Sequence, residues 1–207
     1  TYFAKMFSTS MKSKWKHLVY LETFSGPGRC FVSDTGKERP GSPLQIINQD
    51  FTRFIFIDIN TAACRALEQR LTGHPNADKV EIWNGDCREV VNQLVFEENT
   101  LTFGFIDPTG IAHAPFSLIK TLQGKTRGDL LINVQHGMGI KMNMHQYHPD
   151  SDENCALTLF LGDESWKPLL GPGPKEFFSR YFDLYRQKLA SLGYVHTKNH
   201  VVVNMSK

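Results

Sequence analysis

No run of apolar residues in this chain approaches the roughly 18 that cross a bilayer, so no membrane span is expected. The first residues are mixed and basic rather than apolar, and no signal peptide is expected. The chain starts at Thr1 without a methionine and stops just after an apolar stretch, as a trimmed polypeptide would. Cys30, Cys64, Cys87 and Cys155 form no C-x-x-C pair, which argues against a disulfide frame or a zinc site. Free thiols in a reducing cytoplasm are the expectation. His113, His145 and His148 come without matching carboxylate or cysteine spacing, so no metal is expected. There is no G-x-S-x-G elbow and no Walker loop, so a hydrolase lacks its nucleophile and an NTPase its phosphate cradle. Net charge is only +2, and composition neither demands nor excludes nucleic acid.

What is present is a soluble-protein composition, 41% apolar and 21% charged over 207 residues, enough for one well-cored domain. Residues 1–17 read as an N-terminal helix or arm, 18–134 as a core, and 135–207 as the rest of the same domain. Lys12, Lys14, Lys16 and Trp15 make a small basic-aromatic patch, read first as a solvated face. Leu18–Leu21 is a short apolar run typical of a strand buried on both faces, followed by Glu22 and the turn glycines Gly26 and Gly28. Arg29–Pro40 reads as a long polar loop, after which Ser42 is expected to cap a helix with Pro43 at its first position.

Phe54–Asp58 is a second buried strand, followed by a helix from about Thr61 to Leu71 with Cys64, Leu67 and Leu71 on one side. Val80–Trp83 is a third strand, then Gly85-Asp86-Cys87 and a helix around Glu89–Val95. Leu101–Ile106 is a fourth, delivering Asp107-Pro108-Thr109-Gly110; helix Phe116–Leu122 and a fifth strand Asp129–Val134 follow. This alternation predicts an α/β, Rossmann-like, doubly wound, mostly parallel sheet with helices on both faces. Beyond it, Gln135–Asn154 reads as a long excursion. Cys155–Leu161 and Pro174–Leu192 read as helices parted by Gly171-Pro172-Gly173-Pro174, and Val201–Val203 as a last strand. Phe177, Phe178, Tyr181, Leu184 and Leu189 form a stripe expected in the core.

Four successive strands thus end near a carboxylate: Glu22, Asp58, Asp86 and Asp107. An acid at the end of the second strand suits ribose hydroxyls. Asp86 can accept from an adenine amine, and Glu22 can face an ammonium group. Together they describe a site for an adenosine with a cationic, amino-acid-like tail. In G-x-G-x-x-G the third glycine is required, but Gly26-Pro27-Gly28 is followed by Arg29-Cys30-Phe31, which disfavours NAD.

Glu22-Thr-Phe24-Ser25-Gly26-Pro-Gly28 resembles motif I of class I S-adenosylmethionine-dependent methyltransferases. Asp58, with Ile59 after it, resembles their ribose-binding acid, and Gly85-Asp86-Cys87 their adenine-contacting turn. Asp107-Pro108-Thr109-Gly110 resembles motif IV of the amino-group methyltransferases. More narrowly, Phe24–Arg29, Gly41–Leu44, Phe56–Asp58, Ile106–Pro108 and Leu161-Gly162 with Trp166 resemble the three-Cys-motif partner (TcmP) family. The resemblance implies the class I methyltransferase fold and S-adenosylmethionine bound by Glu22, Phe24, Ser25, Gly26, Gly28, Asp58, Ile59, Asp86 and Cys87. It further implies Asp107, Pro108 and Thr109 as the catalytic group, and a three-Cys-motif protein as partner.

One departure is specific: Thr109-Gly110 stand where the amino methyltransferases carry a proline and an aromatic that stacks on a flipped base. The expected activity is methyl transfer to an amino nitrogen of nucleic acid. The alternative is a partner subunit that binds cofactor with little catalysis of its own. His136, just beyond the fifth strand, is read first as a loop histidine with no special role, with a substrate-facing position as the alternative.

Overall fold

The computed structural model describes residues 2–135, 140–171 and 174–198. The order is α1 (Tyr2–Met11), β1 (His17–Glu22), β2 (Arg29–Val32), β3 (Lys37–Pro40), α2 (Ser42–Ile46), β4 (Arg53–Asp58) and α3 (Thr61–Leu71). Then come β5 (Val80–Asn84), α4 (Cys87–Gln93), β6 (Thr100–Ile106), α5 (Phe116–Lys125), β7 (Arg127–Ile132), α6 (Ala156–Leu161) and α7 (Pro174–Ser191).

Five strands form one parallel sheet in the order β5-β4-β1-β6-β7. Its strands carry apolar side chains on both faces because both faces are covered. Leu18 and Tyr20 of β1, with Phe54 and Phe56 of β4, pack beneath α1, α2 and α3 against Phe7, Ile46 and Leu67. Val19, Leu21, Ile55 and Ile57 point the other way, to α4, α5, α6 and α7. The first face is unusually aromatic: Tyr20 stacks on Phe103 with ring centroids 6.1 Å apart and meets Phe51 edge-on at 5.6 Å. Phe177, Tyr181 and Leu189 of α7 are buried in the second core, as the stripe predicts, and Phe178 and Leu184 pack against it. This is the expected Rossmann-like α/β architecture, with the order of strands reversing between β1 and β6.

Several local expectations are corrected. Arg29–Pro40 is not a loop but a two-stranded antiparallel hairpin, β2 against β3, projecting from the glycine turn. Its strands are almost wholly exposed, so they carry no apolar alternation. Ser42 does not cap α2: Gly41 is the N-cap and the Ser42 hydroxyl is used elsewhere. The helix expected from Glu89 begins at Cys87, because Asp86 accepts the Arg88 N–H and so caps it. The fifth sheet strand starts two residues earlier, at Arg127. Within 135–154 the chain makes a 3₁₀ segment at Lys141–Gln146. His136, Pro172, Gly173 and the Val201–Val203 strand lie outside the described residues.

Candidate functional site

In a parallel sheet of this order, ligands bind outside the carboxyl ends of the strands where the order reverses. That point lies between β1 and β6. The chain leaving β1 is stitched to both neighbours: Thr23 N–H donates to Phe105 O at 3.2 Å, and Ser25 N–H to Ile57 O at 3.0 Å. Gly26 then turns with φ +61, and its N–H donates to Asp58 Oδ2 at 2.7 Å. Asp58 Oδ1 accepts from Asn60 N–H at 2.8 Å, so the acid is fixed by two backbone donors. Gly28 adopts φ +78 where a Cβ would sit 2.8 Å from Leu67, whereas a Cβ on Gly26 would meet nothing within 4 Å. One glycine permits close packing of hairpin against helix; the other leaves open space above the turn. Gly41 N–H donates to Gly28 O at 2.7 Å and closes the foot of the hairpin.

The turn also holds two side chains that the fold leaves unsatisfied. The hydroxyls of Thr23 and Ser25, residues 1% and 5% exposed, have no hydrogen-bond partner among the described residues. A buried hydroxyl without a partner costs about 1–3 kcal/mol, which a ligand group at the turn would recover. Ile59, immediately after Asp58, is 72% exposed and offers an apolar surface on the same rim. Phe24 is half-buried and packs on the core.

Other predicted site residues are placed differently. Glu22 is 0% exposed. It accepts from Tyr20 Oη at 3.0 Å and from the Ser42 hydroxyl, on the aromatic face of the sheet rather than at its rim. The expectation that it faces a ligand ammonium is therefore corrected: desolvation pushes its carboxyl up to about 8, and the nearby charge of Asp107 adds to the shift. Asp86 is held by Arg88, which donates to both oxygens and keeps the carboxyl below its usual range. Its carboxylate faces Arg88, not an open edge. Cys87 opens α4 with its side chain buried, and desolvation pushes the thiol up to about 12.

Asp107 follows β6 directly. Its Oδ1 accepts from Asn133 Nδ2 at 2.6 Å, and Pro108 O accepts from Gln135 Nε2 at 2.7 Å. Thr109 is exposed, its hydroxyl 3.0 Å from His113 Nδ1. Beside this turn opens a cavity of about 650 Å³ between Thr109–Ala112, Gln135 and the 146–156 segment. Sequence reasoning missed it because Gln146 and Tyr147 belong to a stretch without periodicity.

The basic-aromatic patch is partly absorbed by structure: Lys12 pairs with Asp50 at 2.9 Å, and Trp15 packs on the aromatic core. Among the described residues no group of His, Cys, Asp and Glu has the arrangement of a metal site. No described helix is long and apolar enough to cross a membrane.

No family model and no curated protein matches the chain. Solved structures do match. Protein LPL1258 from Legionella pneumophila is 14% identical over 88% of this chain and 70% of its own, with a TM-score of 0.47. Monomeric WbdD is 13% identical over 86% and 35%, with a TM-score of 0.45. Geranyl diphosphate C-methyltransferase from Streptomyces coelicolor is 11% identical over 86% and 74%, with a TM-score of 0.42. The chain thus spans about a third of the length of WbdD. These likenesses concern the course of the backbone, and the fold stands on its own strand order.

Proposed function

We propose that the chain is an S-adenosylmethionine-dependent methyltransferase acting on an amino nitrogen of nucleic acid, and that it is a TcmP-type protein of the cytoplasm working beside a three-Cys-motif protein. The observation that carries the reading is the glycine turn at the sheet's reversal point, held by Asp58 and lined by the two unpartnered hydroxyls of Thr23 and Ser25. The residues present fit the cofactor. Thr23 and Ser25 are free to donate to its polar tail, Asp58 is at the position of a ribose acceptor, and Ile59 offers apolar surface to a ring. Gly26 leaves room for the approach.

When bound, S-adenosylmethionine supplies a methyl group on an electrophilic sulfonium. The protein's task is then alignment. With Oδ1 engaged by Asn133, Asp107 has Oδ2 to accept an N–H of the acceptor amine, orienting its lone pair and taking the proton released on transfer. Pro108 O keeps its second lone pair for the same amine while Gln135 holds the first.

The engaged state of Asp107 and Pro108, with Thr109-Gly110 in place of an aromatic, favours a second reading as a weakly catalytic, cofactor-binding partner subunit. Single-turnover transfer of labelled methyl to pooled DNA and RNA separates the two. A catalyst transfers label in the wild type and loses it in Asp107→Ala while still binding cofactor. A chain that binds cofactor without transferring label to either polymer contradicts the first reading.

A further inference from the structure

The cavity lined by Thr109–Ala112, in the turn that follows Asp107, has a composition that bears on what enters it, and this inference rests on the methyltransferase reading. Apart from Asp152, its polar lining is neutral amide and hydroxyl, including Gln135, Gln146, Thr109 and Ser151. Among the described residues no lysine, arginine or histidine lines it, and the one carboxylate, Asp152, is exposed and already accepts from Asn154 N–H at 2.9 Å. Among the described lining residues a phosphate would find no cation, and an ammonium only a carboxylate that is solvated and in use. Gln135 donates through its nitrogen to Pro108 O, which turns its amide group toward the catalytic turn and leaves its oxygen to accept. Gln146, a second amide, is exposed and lines the same cavity. Tyr147 borders the same space, its ring buried and set edge-on against Trp166 at 6.0 Å. Trp166, against which Tyr147 packs, donates from Nε1 to Thr158 Oγ1 at 2.9 Å.

We infer that this cavity is the acceptor pocket and takes an uncharged planar heterocycle, a nucleobase entering without its phosphate, with Tyr147 standing in for the aromatic missing after Pro108. Two amides offering both donors and acceptors match the edge of a base better than a single charged group. The volume of about 650 Å³ is that of an ordinary small-ligand site and exceeds what one base fills, leaving space for the sugar.

The test is equilibrium binding, followed by saturation-transfer NMR, of adenosine, guanosine, cytidine and uridine to the wild-type chain and to Gln146→Leu. The 5′-monophosphates and N-acetyl-lysine amide serve as competing probes, and cofactor affinity is measured in parallel. At least one nucleoside is expected to bind, about five- to tenfold more weakly in Gln146→Leu, with S-adenosylmethionine affinity unchanged. Because Gln146 is exposed, this variant keeps the fold; Tyr147→Leu is the second variant and should weaken the same nucleoside further. Binding of S-adenosylmethionine without any nucleoside overturns the pocket assignment and leaves the methyltransferase reading standing. Loss of both overturns the reading itself. Tighter binding of a monophosphate, preference for the lysine amide, or nucleoside binding indifferent to both substitutions also overturns the assignment.

Discussion

The N–H of Gly26 donates to Asp58 Oδ2 at 2.7 Å, so the acid that ends β4 holds the glycine turn that follows β1. Asp58→Ala removes that acceptor and the one for Asn60 N–H together. A destabilisation of about 1–3 kcal/mol is expected, read from urea unfolding, with Asp58→Asn recovering only part of it because its amide has one acceptor oxygen for the two N–H donors.

The two turn glycines separate in their tolerance. Gly28→Ala must adopt φ +78 and push on Leu67, which is itself 0% exposed. Backbone strain and overpacking together cost about 2–4 kcal/mol. Gly26→Ala meets only the backbone penalty of about 1–2 kcal/mol, and its larger effect should fall on cofactor affinity. Denaturation midpoints and cofactor titrations of the two variants check the contrast.

Glu22 predicts a pH dependence. Its folded carboxyl stands at about 8 against an ordinary 4.5, so between these values the unfolded chain releases a proton that the folded chain keeps. Stability is complete below about 4.5 and is lost as pH rises towards about 8, by an amount on the order of a few kcal/mol. Glu22→Gln, neutral throughout, should flatten this fall. Unfolding free energies measured across that window should slope downwards only in the wild type.

Thiol reactivity should follow burial. Cys30 lies exposed on the hairpin, while Cys64 and Cys87 are buried with thiols pushed upwards by desolvation. Iodoacetamide at mildly alkaline pH is expected to label Cys30 in the folded chain and Cys64 and Cys87 only after denaturation. Mass spectrometry of tryptic peptides gives the order.

The sheet and its two helical layers were legible because runs such as Phe54–Ile57 and Leu18–Leu21 are apolar on both faces, and glycine turns such as Gly26–Gly28 and Gly85 mark where strands end. The hairpin was not, because its strands face solvent on both sides and are joined by backbone pairing and an exposed Arg29–Glu38 ion pair rather than by apolar packing. The carboxylates were legible as strand-end residues, but their partners were not. Glu22 is claimed by Tyr20 and Ser42, and Asp86 by Arg88, through side-chain directions that spacing does not encode. Tyr147 reaches the Thr109 turn only through the packing of the 146–156 segment, a long-range approach with no local signal.

The most direct measurement is calorimetric titration of the wild-type chain and Asp58→Ala with S-adenosylmethionine, its demethylated product and NAD. The account predicts micromolar binding of the first two by the wild type, a loss of at least tenfold in Asp58→Ala, and no binding of NAD. Absence of binding by S-adenosylmethionine and its product, or binding of NAD in their place, would contradict it.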